Sequence, residues 1–267
     1  MAEAMDPTLI ARLGDELFSA LRQCNTVAPL TLRHPDISIA DAYSVSLHLL
    51  RLREADGERV IGKKIGVTSK AVQDMLDVRQ PDFGFLTNAM QVADATLLSL
   101  RDARLIQPRA EGEIAFCLQS DLQGPGVTRA DVLAATAWVA PCFEIVDSRI
   151  QDWKIRIQDT IADNASCGVF VLSDQRTAPG SLDLAGVSMQ MWKNEQPCAS
   201  GLGSAVQGHP AEAVAWLANT LGAFGIPFRA GELILSGSLA ALVPAAPGDR
   251  FRLHMEGLGG CSIGFSD

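Results

Sequence analysis

Hydrophobic positions in the first sixty residues recur at helical spacing. Leu9, Ile10, Leu13, Leu17, Phe18 and Leu21 share one face of a helix over residues 8 to 23. A second helix is signalled where Ser38 and Asp41, three residues apart, form a capping-box pattern ahead of Val45, Leu49 and Leu52. From Val60 the pattern changes to short β-prone runs broken by Gly and Pro, at 60 to 67, 113 to 118, 142 to 147, 168 to 172, 187 to 192, 232 to 237 and 250 to 255. Helices are expected between them near Ser69 to Leu76, after a Thr128 cap with Asp131 three residues on, and from Pro210 to Phe224 with Val214, Leu217 and Leu221 inward. Strands and helices do not alternate regularly, which disfavours a Rossmann fold or a TIM barrel. The chain divides into a helical region, 1 to 58, and a β-rich catalytic domain, 59 to 267, an α+β organisation.

The 267 residues are 48% hydrophobic and 20% charged, the balance of a globular protein with a sizeable core. No apolar run is long enough for a membrane span, and the acidic N-terminus is unlike a signal peptide, so a cytoplasmic protein is expected. A net charge of −9 argues against a nucleic-acid surface. The six cysteines form no C-x-x-C pair, and the four histidines fall in no zinc-ligand spacing. His34, before Pro35, is the one histidine retained as an active-site candidate; His209 reads as a helix start and His48 as part of an amphipathic helix.

The strongest chemical feature is Arg109-Ala-Glu111-Gly-Glu113-Ile-Ala-Phe-Cys-Leu. On a strand, residues two apart project from one face, so the two carboxylates converge and suit a hard divalent cation. Glu144, inside the apolar run Ala140-Pro-Cys-Phe-Glu-Ile-Val, is a third carboxylate that burial obliges to pair, protonate or bind metal. The competing structural reading leaves Glu111 and Glu113 on a solvated face and pairs Glu144 with Arg109 or Arg149. In Ile61-Gly-Lys63-Lys64-Ile-Gly, alternation places the two lysines on opposite faces, so at most one can serve a site. Gln80-Pro-Asp82-Phe-Gly84 reads as a turn with Asp82 as an Asx-type cap, and Asp163-Asn-Ala-Ser166-Cys-Gly as a polar loop.

Taken together, the runs Gly62-Lys-Lys64-Ile-Gly-Val-Thr-Ser, Gln80-Pro-Asp-Phe-Gly, Gln107-Pro-Arg-Ala-Glu-Gly-Glu-Ile, Phe143-Glu-Ile-Val-Asp-Ser-Arg, Asp163-Asn-Ala-Ser and Gly231-Glu-Leu-Ile-Leu-Ser-Gly-Ser resemble the 2-oxopent-4-enoate (2-hydroxypenta-2,4-dienoate) hydratases of aromatic meta-cleavage pathways, within the fumarylacetoacetate hydrolase-like superfamily. The resemblance implies a mixed β barrel-like roll with a helical N-terminal part. It implies Mg²⁺ or Mn²⁺ on Glu111, Glu113 and Glu144, with Lys64 and Asp82 as catalytic residues and Ser166 touching substrate. It also implies a homo-oligomer able to associate with 4-oxalocrotonate decarboxylase. Protonation at C5 of the dienol and addition of water at C4 would give 4-hydroxy-2-oxopentanoate. Rival readings are the related 4-oxalocrotonate decarboxylase, an acylpyruvate hydrolase, and a non-catalytic partner subunit.

Overall fold

The computed structural model describes residues 5–69, 73–74 and 78–267. The helix expected at Ser69 to Leu76 lies largely outside the described residues. Helix α1 (Pro7–Gln23) begins where Asp6 accepts the Thr8 N–H, and it buries Leu13, Leu17 and Leu21. After the single turn α2 (Leu30–Arg33), α3 (Ile39–Ala55) starts at the expected capping box, Ser38 Oγ accepting from Asp41 N and Asp41 accepting from Ser38 N. The inward faces of α1 and α3 close over Ile150, Ile157 and Ile161.

The strands form two sheets. The larger contains β1 (Val60–Gly66), β2 (Asp82–Thr87), β3 (Gln91–Val92), β5 (Arg109–Leu118), β6 (Thr136–Val146), β7 (Cys167–Leu172) and β10 (Leu233–Leu235), in the order β2-β1-β10-β5-β6-β7-β3, with β11 (Val243–Pro244) also on β5. It is mixed, because β1 runs parallel to β10 and β3 parallel to β7. The smaller sheet orders β4 (Thr96–Ser99), β13 (Gly259–Ser266), β12 (Arg250–Met255), β8 (Ser188–Lys193) and β9 (Gln196–Leu202) as β4-β13-β12-β8-β9. Its alternating strand β12 sends Phe251, Leu253 and Met255 inward, where Phe251 meets Phe265 of the same sheet edge-on and an edge-on contact with Phe143 of β6 joins the two sheets.

Helices α4 (Arg129–Ala135), with its Thr128–Asp131 capping box, and α6 (Pro210–Gly222), with His209 as N-cap, cover the main core. Short α5 (Ile157–Ala162) supports the region before β7. The α+β mixed-sheet architecture expected from the sequence is therefore the one observed, with three differences. Residues 82–87 are a wholly buried strand, not a turn. Strands β5 and β6 begin earlier, at Arg109 and Thr136, and pair antiparallel over almost their whole length. Strands β3, β4, β9, β11 and β13 are additional to the expected runs.

Candidate metal centre

Strand register gathers the candidate residues on one face of the larger sheet. Glu111 lies directly across from Glu144 in the β5–β6 ladder, and Glu113 across from Cys142. Ala115, two residues along the same face, faces Leu235 of β10, which in turn faces Lys64 of β1. Gly66, two residues past Lys64, faces Asp82. Because opposed residues point to the same side of a sheet, Glu111, Glu113, Glu144, Lys64 and Asp82 converge. One ligand oxygen from each glutamate lies within 4.8 Å of the others. Glu113 and Glu144 are fully buried, Asp82 and Lys64 almost so.

The intervening glycines have steric causes. A Cβ on Gly112 would come 2.4 Å from Met189 Sδ of the smaller sheet, so the reverse face of the Glu-Gly-Glu segment packs against core. A Cβ on Gly66 would come 2.2 Å from Asp82 Oδ1. Gly237, at φ 109°, donates its N–H to Glu113 Oε2 at 2.7 Å.

That bond leaves much of the cluster unsatisfied. Among the described residues, Glu113 Oε1, both Glu144 oxygens and Asp82 Oδ1 are buried without a hydrogen-bond partner. Lys64 Nζ is 3.2 Å from Glu144 Oε1 and donates to the Ala165 carbonyl at 3.1 Å. Two like charges about 4 Å apart repel by roughly 4 kcal/mol at an effective dielectric near 20, and among the described residues one ammonium faces four carboxylates. Burial, with Glu144 beside it, pushes Glu111 up to about 8; burial, Glu144 and Glu111 push Glu113 well above the usual range. Burial also raises Asp82 to about 6 although Lys64 opposes it. Burial would lower the Lys64 ammonium, but Glu144, Glu111 and Asp82 outweigh it and hold it above the ordinary lysine range. An all-carboxylate donor set with unpartnered buried oxygens fits a hard divalent ion.

The alternative pairing of Glu144 with an arginine is not what forms. Arg109 lies over the Trp153 ring at 4.5 Å, and the buried Arg149 pairs with Asp163. Lys63, on the opposite face as expected, pairs with Glu232 at 2.6 Å and sits over Phe228. Ser166 is buried, its hydroxyl 3.0 Å from that of Thr160 on α5. His34 is half-buried at the end of α2, and among the described residues its ring makes no hydrogen bond to the carboxylate cluster.

Three neighbours of the site were not legible from sequence. Asn164 holds both backbone groups of Phe85, Thr160 meets Ser166, and Tyr43, the only tyrosine, stacks on Phe83 at 4.3 Å. Burial and the adjacent Asp82 hold the Tyr43 phenol above its usual range. Asn164 and Tyr43 act through contacts between segments far apart in the chain, and Thr160 meets Ser166 across a turn six residues long; none leaves a local pattern.

Residues 61–264 match the family model described as fumarylacetoacetate hydrolase C-terminal. The chain is 72% identical over 262 residues to a 2-hydroxyhexa-2,4-dienoate hydratase of Comamonas testosteroni, covering 98% of this chain and 99% of that protein. It is 63% identical over 222 residues to a 2-hydroxypent-2,4-dienoate hydratase of Pseudomonas putida, covering 83% and 100%. Among solved structures, 4-oxalocrotonate decarboxylase from Pseudomonas putida G7, complexed with magnesium and adipate, matches with TM-score 0.95 at 33% identity over 98% of this chain and 99% of that one.

Proposed function

The chain belongs to the fumarylacetoacetate hydrolase family, beside its 2-hydroxydienoate and 2-keto-4-pentenoate hydratases, and from this premise we propose that its buried carboxylate centre hydrates a small 2-hydroxydienoic acid. The enzyme is a hydro-lyase of aromatic meta-cleavage: 2-hydroxypenta-2,4-dienoate and water give 4-hydroxy-2-oxopentanoate. The observation that carries the site assignment is the set of unpartnered oxygens on Glu113 and Glu144 beside Glu111 and Lys64.

Glu111, Glu113 and Glu144 would hold Mg²⁺ or Mn²⁺. Such an ion, when bound, supplies Lewis-acid polarisation of the carbonyl of a 2-oxo acid. Lys64 keeps its proton at Nζ and sets a positive charge beside Glu144, where the anionic substrate enters. Asp82, with Oδ1 unpartnered, is the candidate to pass a proton to C5 and then to orient water toward C4, and Ser166 is the candidate for substrate contact. Burial of all these groups excludes bulk water from the reacting carbons. The six free cysteines suit a reducing cytoplasm, and a homo-oligomer able to meet the decarboxylase remains part of this reading.

The decarboxylase is the second reading, because that fold superposes nearly completely. The relatives at 72% and 63% identity favour hydration. The deciding assay supplies Mg²⁺ and follows loss of the dienoate chromophore with five- and six-carbon substrates, beside CO₂ release from 2-oxohex-3-enedioate. Formation of the 4-hydroxy-2-oxo acid supports the reading; CO₂ release without hydration would overturn it.

A further inference from the structure

Strand β2 is an edge strand of the larger sheet, so one side of it must be closed by something other than a neighbouring strand. Asn164 closes it. Its Oδ1 accepts the Phe85 N–H at 2.8 Å, and its Nδ2 donates to the Phe85 carbonyl at 3.0 Å, so one side-chain amide imitates a strand partner. The backbone follows closely: a Cβ on Gly84 would come 2.5 Å from the Asn164 carbonyl oxygen. The opposite flank is gripped by Arg149, whose side chain donates to the Asp163 carboxylate, the Asp163 carbonyl and the Cys167 carbonyl.

Between these two anchors, Asn164, Ala165 and Ser166 have φ of 52°, 51° and 52°, three successive non-glycine residues in the left-handed region. Such a run persists only where its surroundings impose it. Its product is specific: the Ala165 carbonyl is aimed at Lys64 Nζ, and the Ser166 hydroxyl is set beside Thr160.

Resting on the hydratase reading, we propose that Asn164 is a positioning residue for the reaction: its double bond to Phe85 locks the left-handed turn whose Ala165 carbonyl holds the Lys64 ammonium next to Glu144. The β2 ladder does not need Asn164 to form, since β1 pairs with β2 from Val60–Thr87 through Gly66–Asp82. Loss of the clamp therefore falls on the placement of Lys64 and Ser166, not on the sheet. The carboxylate ligands sit on β5 and β6, outside the clamp.

The test compares N164A with N219A in the full-length, Mn²⁺-loaded protein. Asn219 makes the same two-bond clamp on Val127, at 2.8 Å for each bond, between α6 and the loop before α4. It is a control of matched chemistry remote from the carboxylates. N164A is expected to lower kcat about 10- to 100-fold, the scale of a small misplacement of a reacting group, with Mn²⁺ affinity by calorimetry changed less than about threefold on that reasoning. N219A should keep wild-type kcat. If N164A does not fold, G84A, whose methyl displaces the Asn164 carbonyl, is read by the same two measurements. Wild-type kcat in N164A or G84A, equal losses in N164A and N219A, or a loss matched by lost Mn²⁺ affinity would overturn the proposal. Absence of hydration in the wild type would instead overturn the function on which it rests.

Discussion

Glu111 and Glu144 stand directly opposite one another in the β5–β6 ladder, a cross-strand pair of buried like charges. Such a pair destabilises a sheet unless a cation or proton intervenes. Glu144→Gln removes the repulsion and one ligand oxygen together. The metal-free variant should be at least as stable as wild type in denaturant, while Mg²⁺ and Mn²⁺ affinity by calorimetry falls at least ~10-fold, the lower end of losses seen even for groups that only support metal ligands. A variant that unfolds yet still binds metal would assign Glu144 a structural role.

Lys63 and Lys64 are adjacent in sequence and opposite in function. Lys63 is tied to Glu232 behind the sheet, so Lys63→Met should cost about 1–3 kcal/mol of stability, as for a lost charged hydrogen bond, and leave kcat near wild type. Lys64→Met should lower kcat roughly 100-fold or more, the scale of a lost charge-stabilising donor. Steady-state kinetics with parallel denaturant curves separates the two; similar kcat values would remove Lys64 from the mechanism.

Gly66 gives Asp82 its room. Gly66→Ala brings a methyl onto Asp82 Oδ1 and toward Lys64 Nζ. A shift of the carboxyl by about 1 Å is expected to reduce kcat on the order of 100-fold, with metal affinity unchanged because the three glutamates lie on other strands. Unaltered kcat in this variant would show that Asp82 need not be where it is.

Glu58 joins α1, α3 and β2 through Arg22, Arg53 and Thr87. Burial would raise its carboxyl, but Arg53, Thr87 and Arg22 outweigh burial and hold it below the usual glutamate range. A depressed folded-state pKa gives stability that is present above the ordinary value of 4.5 and lost as pH falls through the depressed one. Glu58→Gln should therefore be less stable than wild type at pH 7, with the difference narrowing toward pH 3. Denaturant unfolding across that range measures it, and a constant difference would contradict it.

Much of this was legible because it is local. The Ser38 and Thr128 capping boxes, the His209–Pro210 helix start and the Glu-Gly-Glu alternation each signal their structure within four residues. Asp82 was misread because Pro81 and Gly84 look like turn residues, yet Pro81 precedes the strand and Gly84 admits the Asn164 backbone. The same limit hid the Arg149–Asp163 pair and the Asn164 clamp, where both partners come from separate segments. Lys64 and Glu144 are 80 positions apart in the chain, and only the β1–β10–β5–β6 register joins them.

Hydration by protein stripped of metal bears on the whole account. After chelation and desalting, dienoate loss should be abolished, and Mg²⁺ or Mn²⁺ added back should restore both the rate and the 4-hydroxy-2-oxo acid product. Full hydration by protein verified to be metal-free would contradict the assignment of Glu111, Glu113 and Glu144 as the ligands of a required ion.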